Sequence, residues 1–139
     1  MSTLTSTDLD VTDVNCTNLK DASGGNSSTP ANILAGSVKA WVTFDGSAGS
    51  ISPAASHNVT GLTDNASGDY TINLTTAMGG TSWAAVGSCD TAGTLWGGLS
   101  IEDVAKTTSA VRVRCWDDVK NASGVFNPTQ VDVVMIGVQ

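Results

Sequence analysis

The stretch from Asn58 to Met78 reads NVTGLTDNASGDYTINLTTAM, and its pattern decides the fold class. In an extended chain Tyr70, Ile72 and Leu74 fall on one side and Thr71, Asn73 and Thr75 on the other, which is the alternation of a half-buried strand. Ahead of them, Thr63 to Asp69 gathers Asp, Asn, Ser and Gly, residues that accept left-handed backbone or close Asx turns. Two strands joined by a polar reversal are expected.

Outward from this hairpin the same period recurs. Val38, Ala40, Val42 and Phe44 share one face of Val38–Phe44, Trp41 takes the other, and Asp45-Gly46 ends the strand. Pro53, within the small and polar run Gly46 to Ala55, argues against a central strand there. Ser82 to Cys89 is read as a strand with Trp83, Ala85 and Gly87 on one side. In Thr94 to Ile101, Leu95, Leu99 and Ile101 oppose Trp96, and Gly97-Gly98 suggests a bulge. Ser109 to Trp116 places Val111, Val113 and Cys115 inward, with Arg112, Arg114 and Trp116 outward. Val131 to Val138 is apolar on both faces apart from Asp132 and Gly137, so it is either central or covered by another chain. About seven short strands without an amphipathic helix predict an all-β domain, a β-sandwich or jelly-roll-like fold over residues 37–139. Residues 1–36 hold isolated apolar points in a Ser, Thr, Asp, Asn and Gly background and read as an extended arm and linker.

The chain has 139 residues, enough for one ordinary domain. Charged residues are 14% and the formal net charge is -7, with six scattered Lys and Arg, so no basic field is present to hold nucleic acid or anionic lipid. No apolar run approaches the roughly 20 residues of a spanning helix, and Met1 to Thr7 lacks the basic start and apolar core of a secretory leader. Cytoplasmic synthesis is the expectation. Cys16, Cys89 and Cys115 are odd in number and have no CxxC spacing, which points to free thiols packed as small apolar groups.

Chemistry-bearing constellations are sparse. His57 is the single histidine and no Gly-x-Ser-x-Gly elbow occurs, so no nucleophilic triad is indicated. Glu102-Asp103, Asp117-Asp118 and the group Asp8, Asp10, Asp13 lack the spacing of a calcium loop and read as solvated turn acids. Catalytic residues, cofactors and metals are therefore expected to be absent. Six Asn-x-Ser/Thr triplets follow from composition. Trp41, Val134, Ile136 and Val138 are apolar positions on otherwise patterned strands and are candidate subunit contacts. Trp96 and Trp116, with Arg112 and Arg114, are candidate surface-recognition residues, because tryptophans can stack on sugars.

Ser28-Thr29-Pro30-Ala31-Asn32-Ile33-Leu34-Ala35-Gly36, running into Ser37-Val38-Lys39-Ala40-Trp41-Val42-Thr43-Phe44-Asp45-Gly46, and then Val59 to Leu74, resembles tail-fibre and related virion structural proteins of tailed phages, of the type found in marine phages of cyanobacteria. There a Lys-Ala-Trp-Val-x-Phe-x-Gly strand precedes a Thr-Asp-Asn-x-x-Gly-Asp-Tyr-Thr hairpin. The Val-Arg-Val-Arg strand at Val111 to Arg114 and the apolar ending through Ile136-Gly137 extend the likeness. The resemblance implies a non-enzymatic, β-rich appendage of a virion, a homotrimer attached to capsid or tail proteins by residues 1–36, with a host-surface glycan as a further partner. The chain departs from long fibres in lacking a shaft, which favours a capsid knob, head fibre or decoration protein. A carbohydrate-binding module built on surface tryptophans is the alternative.

Overall fold

The computed structural model describes residues 19–20, 27–90, 97–117 and 124–139. In the first compact unit, Met1–Ile33, the described residues include a two-residue antiparallel ladder of β1 (Leu19–Lys20) with β2 (Ser27–Ser28). Most of the expected arm lies outside the described residues, as do Cys16, Trp96, the acids at 8, 10, 13 and 118, and three residues of the Asn121 to Gly124 turn. A short helix, α1 (Pro30–Gly36), interrupts what the sequence suggests is extended. Thr29 accepts the Asn32 amide on its hydroxyl at 3.2 Å, and Pro30 supplies a first helical residue that has no amide to satisfy.

The described residues of the second unit, Leu34–Gln139, form a two-sheet sandwich of eight strands. They are β3 (Val38–Phe44), β4 (Pro53–His57), β5 (Val59–Ala66), β6 (Asp69–Leu74), β7 (Ala84–Cys89), β8 (Gly97–Glu102), β9 (Ala110–Asp117) and β10 (Val131–Ile136). One sheet has the order β4-β3-β10-β7 and the other β5-β6-β9-β8, every neighbouring pair being antiparallel. The all-β sandwich expected from the sequence is thus the fold. Its chain passes between sheets after β4, β6, β7 and β9.

Alternation supplies the core. Ala40, Val42 and Phe44 from β3 and Val131, Val133 and Met135 from β10 face Tyr70, Ile72 and Leu74 from β6 and Val111, Val113 and Cys115 from β9. Each fully buried Val, Ile or Phe stabilises by roughly 1.5–3 kcal/mol, so the four central strands carry most of the fold. Phe44 and Tyr70 meet edge to face with ring centroids 5.2 Å apart. The Tyr70 hydroxyl donates to the Gly46 carbonyl at 2.9 Å, and a Cβ at Gly46 would lie 2.5 Å from that hydroxyl. The Lys39–Gly46 segment and the Thr63–Thr71 hairpin, quoted above for their resemblance, therefore interlock through these three residues.

The hairpin turns tightly. β5 continues to Ala66, beyond the polar cluster's start, and Gly68 takes φ 66°. A side chain at Gly68 would strike the Phe126 and Cys115 carbonyls, at 2.6 and 2.8 Å. β4 is an eighth strand that composition hides. It begins at Pro53 and forms an edge, where a missing amide costs no ladder bond. From β4 the chain enters β5 through Asn58, at φ 57°, whose side-chain amide donates to the Lys39 and Thr76 carbonyls, both at 3.1 Å. The Thr76 amide returns a bond to its Oδ1 at 2.7 Å.

Two local expectations are corrected. Val38 does not share the inner face of β3. The register against β10 slips between Met135 and Ile136, Lys39 is the extra residue, and Val38 comes opposite Ile136 on the outside. No bulge occurs at Gly97-Gly98, because β8 pairs with β9 without a slip from Gly97↔Asp117 to Glu102↔Arg112. Gly98 serves packing instead. A Cβ there would lie 2.4 Å from Cζ2 of Trp116, which covers it from the neighbouring strand.

Candidate functional site

Of the residues singled out from the sequence, Trp41, Val134 and Ile136 lie on one outer face of the sandwich and Arg112, Arg114 and Trp116 on the other, and these faces differ in chemistry; Trp96 lies outside the described residues. On the β4-β3-β10-β7 sheet the cross-strand register aligns His57, Trp41, Val134 and Val86 in one row and Val38, Ile136 and Ala84 in another. Trp41 and Ile136 are each 37% exposed and Val86 is 61% exposed, while Val134 is half-buried between Trp41 and Val86. Three of the four candidate subunit contacts, Trp41, Val134 and Ile136, are thus brought together. Val138 follows the strand, exposed, with its carbonyl accepting the Gly79 amide at 2.7 Å. Val38 and Val86 join this surface. Val86 was legible from the alternation of β7, but Val38 was hidden by the bulge. One polar element crosses the patch's end, where Thr43 donates to Asp132 at 2.6 Å.

The outer face of β5-β6-β9-β8 is polar and locked. Asp69, only 5% exposed, accepts from Nε of Arg112 at 2.6 Å and Nε of Arg114 at 3.0 Å, and Arg112 closes a second bond through its terminal nitrogen. Glu102 approaches Arg114 at 3.8 Å. Two cations and two anions thus balance within one sheet face. The Arg112 hydrogen bond, followed by those of Arg114 and Asn65, outweighs burial and holds the Asp69 carboxyl down at about 2. The same contact raises Arg112. Asn65 donates to Asp69 and Thr71, at 3.2 and 2.9 Å, extending the network onto β5. The two arginines therefore find their acids within their own chain. Beside them Trp116 is 42% exposed, standing over Gly98.

Among the described residues the two faces keep His57 and the Asp69 network apart. His57 is exposed on edge strand β4 opposite Trp41, and Asp103 pairs with Lys106 rather than with Glu102. Among the described residues no three His, Cys, Asp or Glu side chains are grouped as a metal would need, and no helix is long and apolar enough to cross a membrane. One face offers apolar contact, the other an aromatic ring next to fixed hydrogen-bonding groups. Comparison with protein-family models, curated proteins and solved structures gave no match.

Proposed function

We propose that this protein is a structural component of a bacteriophage virion, a small non-enzymatic surface appendage of capsid-knob, head-fibre, decoration or short tail-fibre type, assembled as a homotrimer and anchored through residues 1–36. The phage setting rests on the sequence resemblance. The observation that carries assembly is the outer face of β4-β3-β10-β7, where Trp41, Val134, Ile136, Val38 and Val86 form an apolar surface on neighbouring strands. Apolar groups clustered on a rigid sheet favour association with an equally apolar partner, and in a homo-oligomer that partner is another copy. The test compares the full chain with one starting at Ser37, by light scattering and by binding to virion particles lacking the protein. The shortened chain is expected to keep its oligomeric state and lose particle binding. If neither form binds and both are monomers, the reading fails.

A second reading, a carbohydrate-binding module, is favoured by Trp116 alone. Its ring is exposed beside Arg112, Arg114 and Asp69, whose mutual bonds fix them in place before any ligand arrives. Glycan-array binding that disappears in Trp116→Ala without loss of folding would support this role; binding unaffected by the substitution would remove it.

A further inference from the structure

Cys89 and Cys115 belong to different sheets. Cys89 ends β7, an edge strand opposite Val131 of β10, and Cys115 lies in β9 opposite Leu99 of β8. Packed sheets generally stand about 10 Å apart, too far for a disulfide, whose Cα atoms need to come within about 7 Å. At this end of the sandwich the sheets draw together. Gly87 offers no side chain, and a Cβ built on it would already lie 3.2 Å from Cδ2 of Leu99. The Cys89 sulfur reaches the carbonyl of Gly98, on the opposite sheet, at 3.3 Å. Cys89 packs against the buried core that contains Cys115, close enough for each thiol to bear on the other's ionisation. Both sulfurs are reduced here, and Cys115 is fully buried while Cys89 is partly open.

We propose that Cys89 and Cys115 are an oxidisable pair that closes into a disulfide across the sandwich, joining β7 to β9, when the protein meets a small-molecule disulfide. Cys89 is the entry point because it is the more accessible. Its thiolate attacks the small disulfide, expelling one thiolate and forming a mixed disulfide. The Cys115 thiolate then attacks the Cys89 sulfur and expels the second. Overall two protein S–H bonds and one small-molecule S–S bond are exchanged for one protein S–S bond and two small-molecule thiols, with two electrons passing to the oxidant. Burial pushes both thiols up from their ordinary range, so the thiolate is scarce in the folded protein. Closure is accordingly slow in the native state and fast during folding, when both sulfurs are open to solvent.

The test uses the full chain, refolded from denaturant in oxidised and reduced glutathione and, in parallel, incubated folded in the same buffer. Free thiols are then alkylated and the peptides mapped by mass spectrometry. The refolded sample is expected to contain a Cys89–Cys115 linked peptide, leave Cys16 alone alkylated, and melt about 10 °C above the reduced protein. Cys89→Ala is expected to abolish both the link and the rise in melting temperature. Full alkylation of Cys89 and Cys115 after refolding would overturn the proposal. So would glutathione retained on Cys89, or a rise that survives in Cys89→Ala.

Discussion

Replacing Asp69 by Asn tests whether the polar outer face is held by charge. The substitution preserves shape and removes the anion to which Arg112 and Arg114 bond. A native carboxyl at about 2 against an ordinary 3.8 makes ionised Asp69 worth about 2.5 kcal/mol at pH 7. The sign follows from the depressed native value. The contribution is complete above the unfolded value and disappears as pH falls through the native one, leaving about 1.3 kcal/mol at pH 3 and about 0.4 at pH 2. Urea unfolding of wild type and Asp69→Asn, followed by far-ultraviolet circular dichroism between pH 7 and pH 2, reads this directly, because other carboxyls are shared by the two proteins. Their stability difference should shrink by about 2 kcal/mol across that range. A difference that does not change with pH would refute the argument, and equal stability at pH 7 would show that the pair contributes nothing.

Further consequences concern single residues. Asn58→Ala removes three side-chain hydrogen bonds and leaves the left-handed backbone to a residue without the local polar bonding that lets Asn adopt it, so unfolding free energy should fall by about 2–4 kcal/mol; Asn58→Gly should recover about 1 kcal/mol of that in the same denaturation assay. Gly98→Ala forces Trp116 off β8 and should cost about 1–3 kcal/mol, a penalty that largely vanishes when Trp116→Ala is already present, as a double-mutant cycle would show.

Much of the sandwich is legible because its central strands bury one face. Tyr70, Ile72 and Leu74, and Val111, Val113 and Cys115, alternate in sequence and lie in the core where that alternation puts them. Elements escape where burial does not govern composition. β4 is exposed along nearly its whole length and carries Ala, Ser and His, so nothing but its ladder to β3 marks it as a strand. Helix α1 is too short to show a helical period, and its only signal is Thr29-Pro30 at the start. The outward turn of Val38 depends on an extra residue opposite β10, a pairing fact absent from either strand alone. The Asp69 network is hidden for a related reason. Arg112 and Arg114 announce an outward face, but the acid between them sits 43 and 45 residues away and is found only when β6 pairs with β9. Gly98 misled because glycine in a strand serves both bulges and close approaches, and here it seats Trp116.

The central claim is that the apolar face of β4-β3-β10-β7 joins copies of the chain. Sedimentation velocity of the full-length protein beside Ile136→Asp and Val86→Asp, with thermal melts as a check on folding, tests it most directly. Both side chains point outward, so each variant should fold, and the wild type should sediment as three chains while the variants sediment as one. A wild-type monomer, or a trimer that survives both substitutions, would contradict the account.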